Sequence, residues 1–218
     1  MLNSLPTPAA PAQDATRNVL AIPAFRKLWN SMVFSSLGDW LGLLATTALA
    51  QQLSGGSYAT ANFAIAGVFI ARLLPAVFLG PIAGVIADRF DRRKLMVTAD
   101  ILRAGLYISI PIVNTYFWLY AAMILVECLT LFWSPAKEAT VPNLVGKDKL
   151  ESANQASLLA AYGTAPIAAI LFSLLTLFAN AIESLFPFTI GGSIDIALYV
   201  NAASFAFAAV TIWGLKEI

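Results

Sequence analysis

Apolar residues fill the chain in runs close to the roughly 20 residues that carry a helix across a bilayer. Six spans follow from this pattern, over about residues 29–50, 61–87, 95–113, 116–133, 153–178 and 194–215. The breaks between them are polar or turn-forming. The tightest is Val113-Asn114-Thr115, where the third and fourth spans nearly touch. Residues 178–194 include Glu183, Phe186, Pro187 and Phe188, and read as a short interfacial segment on the outer side. Residues 1–25 are rich in Pro, Ala and polar side chains and lack the apolar core and basic start of a signal peptide. They read as a flexible N-terminal tail, with residues 26–218 forming the six-helix bundle.

Composition narrows this to one class. Of 218 residues, 59% are hydrophobic and 11% charged, against about 25% charged in an ordinary soluble domain. Mean hydropathy is +0.78. One soluble core of this size has too little interior to hide so much apolar surface. Disorder, a coiled coil and a soluble enzyme are excluded, and a polytopic all-α membrane protein is expected. The net charge of +1 supplies no field to draw in nucleic acid. No histidine is present, and no metal site, cofactor or nucleophile–base set is expected. Cys128 lies in an apolar stretch, as a small buried hydrophobe would.

The basic residues give an orientation. Arg17, Arg26 and Lys27 precede the first span, and Arg89, Arg92, Arg93 and Lys94 separate the second from the third. Lys137, Lys147 and Lys149 separate the fourth from the fifth, and Lys216 follows the sixth. The alternate loops, near 51–60, 114–115 and 180–193, carry no Lys or Arg. Eleven positive charges against none predict that both termini are cytoplasmic in a bacterial-type inner membrane. The first three and last three spans form units of opposite topology, because three is odd.

After the second span the chain reads Gly84-Val85-Ile86-Ala87-Asp88-Arg89-Phe90-Asp91-Arg92-Arg93-Lys94. Gly80 and Gly84, four apart, give a smooth face for close helix approach. Asp88 is placed to cap a neighbouring helix N-terminus, and the arginines to bind carboxylates or carbonyls, a set able to latch one conformation. The plainer reading is that the basic run fixes topology and binds anionic lipid head groups. The segment resembles the loop signature of the major facilitator superfamily, G-x-x-x-D-R-x-G-R-R-K, with Asp91 in place of the second glycine. Asp tolerates the left-handed turn that glycine would take there.

Other segments narrow the resemblance. Phe25-Arg26-Lys27-Leu28-Trp29 with Ser35-Ser36-Leu37-Gly38-Asp39-Trp40 resembles the opening of the macrolide-efflux and enterobactin-exporter-like branch. Ser134-Pro135-Ala136-Lys137 with Pro142-Asn143-Leu144-Val145 resembles that branch's loop after the fourth helix. In the fifth span, Gly163 and Pro166 are what remains of the Gly-Pro-rich kink motif of the superfamily's antiporters, most of whose glycines are absent. The superfamily fold has twelve helices in two bundles, and this chain resembles the N-terminal bundle, stopping where the central loop would begin.

Charged residues inside the spans each need a partner or a function, because an ionised group in hydrocarbon costs about 3 kcal/mol or more. They are Asp39, Arg72, Asp100, Arg103 and Glu127. Depth arithmetic pairs Arg103 with Glu127 across neighbouring helices, and Asp100 with Arg103 at i,i+3. Asp39 meets Arg72 if the second helix tilts or the arginine snorkels. The resemblance places Asp39 and Glu127 on the wall of the central cavity. There a carboxylate can take and release a proton as a nearby arginine moves. Trp29, Trp40, Tyr116, Trp118, Trp133 and Trp213 mostly fall near span ends and are expected as interfacial anchors.

The resemblance therefore implies proton-coupled export of an amphipathic small molecule by alternating access. Asp39, Glu127, Arg72 and Arg103 would line the pathway. The partner would be a second six-helix bundle, from another copy or a separate chain. The contrasting expectation is a non-transporting membrane scaffold or assembly factor built from half a transporter.

Overall fold

The computed structural model describes residues 19–55, 57–185 and 192–215. Six helices are long and apolar enough to cross a bilayer. They are α1 (Pro23–Leu53), α2 (Tyr58–Ala87), α3 (Arg92–Val113), α4 (Tyr116–Val145), α5 (Leu150–Leu185) and α6 (Ser193–Trp213). A short 3-10 turn, Lys147–Lys149, joins α4 to α5.

The breaks are built by local chemistry. Asn114 ends α3 in the left-handed conformation, φ 48° and ψ 48°, which its short polar side chain tolerates. Thr115 then caps α4, its hydroxyl accepting the Trp118 N–H at 3.3 Å. One residue of each type turns the chain around. Residues 186–191 of the expected interfacial segment lie outside the described residues, and 178–185 belong to α5.

Helix α4 runs twelve residues past its expected end, so Ser134–Lys137 and Pro142–Val145 are helical rather than loop. Packing holds the extension: Ala136, Val141 and Val145 are buried in one core cluster with Phe25 and Leu28 of α1. Val19, ahead of α1, is 1% exposed in that cluster.

The most extensive helix pairings are α1 with α5 and α6, α4 with α2 and α3, and α3 with α6. Exchanging α1 with α4, α2 with α5 and α3 with α6 maps this set onto itself. The packing therefore carries the inverted three-helix symmetry, although no sequence repeat announces it.

Two apolar cores result, one at each end of the bundle. The first gathers Leu41, Ala45, Tyr107, Met123 and Phe205, and the second Phe25, Leu28, Met96, Trp133 and Ile212. Between them, at the height of Ser35–Asp39, Asp100–Arg103 and Glu127–Thr130, lies a polar layer.

Lipid supplies no hydrophobic drive between helices, so polar cross-links matter more. Trp29 and Trp40 of α1 donate their indole N–H to the carbonyls of Ala156 and Ala161 on α5, each at 2.8 Å. Trp118 donates to Ser109 at 2.8 Å and Trp133 to Asp100 at 3.2 Å, tying α4 to α3. These four tryptophans, expected as interfacial anchors, also serve as interhelical struts, because a buried indole N–H must find an acceptor.

Close packing of α1 needs glycine. A Cβ on Gly42 would stand 2.6 Å from both Asn201 Nδ2 and Tyr107 Oη, two fully buried side chains. Gly42→Val should therefore cost about 1–3 kcal/mol, read as an earlier unfolding midpoint in a detergent denaturation series. Gly105→Ala, where nothing lies within 4 Å, should gain a few tenths to about 1 kcal/mol. Equal midpoints for the two variants would contradict the packing described.

Candidate functional site

The polar layer brings together all four residues expected on the pathway. Arg72 of α2 meets Glu127 of α4, Nε to Oε1, at 2.9 Å. Its Nη1 also reaches the backbone carbonyl of Asp39 on α1 at 3.4 Å. Arg103 of α3 donates from Nη2 to Asp100 Oδ1, and its Nη1 lies 3.9 Å from Asp39 Oδ1. The pairing of Asp100 with Arg103 is as expected. The expected Arg103–Glu127 pair does not form, because Arg72 holds Glu127 and Arg103 turns toward α1. Depth along the axis matched, but the angular positions did not.

Arg103 is flanked by aromatic rings, and its Nε and Nη1 have no hydrogen-bond partner among the described residues. It is fully buried, its guanidinium 5.4 Å from the Trp133 ring centre and 4.5 Å from that of Phe205. A guanidinium stacks on aromatic faces and is weakly hydrated, so it suits this dry position better than lysine would. Asp100 is fully buried as well, with both carboxylate oxygens occupied, one by Arg103 and one by Trp133. The Asp39 side chain is different: it is 30% exposed.

What Asp39 faces is a cavity of about 370 Å³ between α1 and α4, flanked by α2 and α5. Arg72, Arg103, Trp40, Phe69, Trp133 and Lys137 are among its walls. A second cavity, about 640 Å³, continues between α4 and α5 toward the end of the bundle where the chain enters. The two share Lys137, Ala161 and Tyr162. A path thus runs from the charged layer to the basic end of the bundle. Trp133, Tyr162 and Lys137 were not singled out as lining residues from sequence. The polar positions Glu127, Thr130, Ser134 and Lys137, at helical spacing, are the signal that marks this face of α4.

The loop between α2 and α3 behaves differently from expectation at two positions. Asp91 is extended, φ −60° and ψ 115°, not left-handed, and caps α3 by accepting the Lys94 N–H at 2.8 Å. The capping carboxylate is therefore Asp91, not Asp88, which closes α2 and is exposed like Arg89. Where the signature's glycine permits a turn, Asp91 instead satisfies an orphan donor of the next helix. Arg92 donates to the Ala139 carbonyl of α4 at 2.7 Å, and Arg93 stacks 4.9 Å from the Trp213 ring of α6. Gly80 and Gly84 have nothing within 4 Å of an added Cβ, so their smooth face is not used inside this bundle. Gly163 and Pro166 lie in α5, which is one helix from Leu150 to Leu185.

A family model described as a transmembrane secretion effector matches residues 15–189. The chain belongs to the major facilitator superfamily. The MFS-type transporter YfiS of Bacillus subtilis is 29% identical over 193 residues, 86% of this chain and 41% of YfiS. YkuC of the same organism, also an MFS-type transporter, is 31% identical over 147 residues, 64% of this chain and 30% of YkuC. Macrolide efflux protein A of Enterococcus faecalis is 34% identical over 82 residues, 35% of this chain and 25% of that protein. The family match and the MFS-type relatives, with the six apolar helices, make this a multi-pass membrane protein. The chain spans less than half the length of the curated relatives it matches. No solved structure matches significantly.

Breaking a fully buried pair leaves an uncompensated charge, whereas a part-exposed pair is relieved by solvent. Asp100→Asn should therefore cost about 3 kcal/mol or more, and Glu127→Gln less, because its pair is not fully buried. Chemical unfolding in one detergent compares them directly. A double variant Asp100→Asn/Arg103→Gln should lose less than the sum of its single changes.

Proposed function

We propose that this membrane transporter chain is the N-terminal half of a proton-coupled exporter of amphipathic small molecules. The carrying observation is the charge cluster at the waist of a membrane bundle, in which Asp39, Arg72 and Glu127 are part-exposed beside the buried Arg103. Its Asp39 opens into a cavity rather than packing away. Charges at that depth cannot face hydrocarbon, so a wet cavity has to be enclosed there. In alternating access, Asp39 takes a proton when Arg103 leans toward Asp100 and releases it when the arginine returns.

The closing wall is a second six-helix bundle, from another copy or from a C-terminal half. Helices α2 and α5 would meet it. Only 22% and 17% of their most apolar stretches are buried, against 44% for α1, α3 and α6. The open Gly80–Gly84 face and the exposed Asp88–Arg89 end of α2 lie on this side of the reading, as a docking surface and a conformational latch. The basic end is cytoplasmic, in a bacterial-type inner membrane, by the distribution of Lys and Arg. The macrolide-efflux relatives support export as the direction and an amphipathic molecule as cargo.

Two measurements test this. In inverted vesicles with an imposed pH gradient, at least one of a panel of labelled amphiphiles of differing head-group charge should accumulate. Asp39→Asn should reduce that uptake at least about tenfold, with helix content and detergent-subtracted mass unchanged. Full uptake by Asp39→Asn would sink the proton-carrier role. Light scattering in mild detergent should give a species near twice the 23.2 kDa chain mass, or a complex with the second half when co-expressed. Gly80→Leu/Gly84→Leu should shift it to a folded monomer; an unchanged assembly would place the second bundle elsewhere.

A further inference from the structure

The cavity also contains charges that proton coupling leaves unexplained. Arg72 is matched by Glu127 at 2.9 Å, and Arg103 by the buried Asp100. Formal charge then leaves one acid and one base over, Asp39 and Lys137, both on the cavity wall. Asp39 has a cation only at the outer limit of ion pairing, Arg103 at 3.9 Å. Lys137 pairs at 3.8 Å with its own sequence neighbour Glu138, whose side chain is 71% exposed. Such an exposed pair contributes little and is easily exchanged.

The two stand apart along the groove. Asp39 reaches Arg103, Arg103 stacks on Trp133, and Lys137 follows Trp133 by one helical turn. On the Lys137 side of Asp39 the wall carries Met32, Ser36, Thr130 and Ser134, and beyond Asp39 it is apolar, formed by Leu43, Phe69 and Leu73. A volume of about 370 Å³ suits a small organic ligand.

We propose that the ligand of this cavity is an organic molecule with an apolar body, one cationic group and one acidic group. Its amine lies on Asp39 and its acid on Lys137, which line the same cavity. A short hydrophobic peptide with free termini is the simplest member of the class. A purely cationic amphiphile would leave Lys137 unanswered beside its apolar body, and a purely anionic one would face Asp39. A site built for two charged partners discriminates against ligands that lack one, because a desolvated group is then left unpaired. This assignment rests on the transporter reading of the same cavity.

The test uses trileucine in four forms, with free termini, amidated, acetylated and blocked at both ends. Binding to the chain in nanodiscs is followed by tryptophan fluorescence, to which Trp40 and Trp133 on the wall respond. The free form should bind about tenfold more tightly than either singly blocked form, and the doubly blocked form most weakly. Lys137→Gln should erase the difference between free and amidated peptide, and Lys137→Arg should keep it. Equal affinity for all four forms overturns the inference, as does a preference that survives Lys137→Gln. Absence of any binding while Asp39-dependent uptake persists also overturns it but leaves the transporter reading standing. Absence of both removes the two together.

Discussion

An ionised group inside a bilayer must be answered by an opposite charge, a hydrogen bond or water, and this bundle is arranged around five such groups. They sit in one layer between two apolar cores, where α1, α2, α3 and α4 converge. Two different answers are used. Asp100 and Arg103 are buried, with Trp133 and Phe205 flanking the guanidinium. Asp39 and Arg72 line a cavity, and Glu127 is held beside it by Arg72. The closed pair fixes the helices, and the open set is left able to respond. A buried ion pair is weak evidence of net stability, but it strongly penalises any packing that separates its members. That makes the layer a device for register.

Away from that layer, cohesion comes from polar contacts onto backbone. Trp29, Trp40, Tyr116 and Tyr120 all donate to carbonyls of neighbouring helices. Each such contact joins one large rigid side chain to a fixed acceptor, so little rotamer freedom remains to be lost. Glycines at 38 and 42 let α1 approach α6 and α3 closely enough for Tyr107 to stack on Phe205 at 5.6 Å.

The six spans were legible because hydropathy is a one-dimensional property and lipid enforces it residue by residue. The same holds for the five charged candidates, which stand out against an apolar background. Their pairing was not legible. Depth follows from counting residues, but the angle at which a side chain leaves its helix depends on the packing of all six. Arg103 and Glu127 are level and still do not meet, because Arg72 occupies Glu127 first. The far end of α4 was hidden for a related reason. Prolines at 135 and 142 look like breaks, yet burial of Ala136, Val141 and Val145 against α1 keeps the helix going. Lys137 read as a topological charge on a loop, and only that continued helix turns it into the cavity.

The inverted symmetry explains why the open charges lie where they do. Exchanging the two three-helix units carries α1 onto α4, the helices bearing Asp39 and Glu127. The two carboxylates therefore lie on exchange-related helices, but the arginines do not: Arg72 is on α2 and Arg103 on α3. The two carboxylates receive unequal partners. Glu127 is tightly held at 2.9 Å, while Asp39 shares at 3.9 Å a guanidinium already committed to Asp100. The scaffold thus holds one well-paired and one under-paired carboxylate, and it is the under-paired Asp39 that lines the cavity.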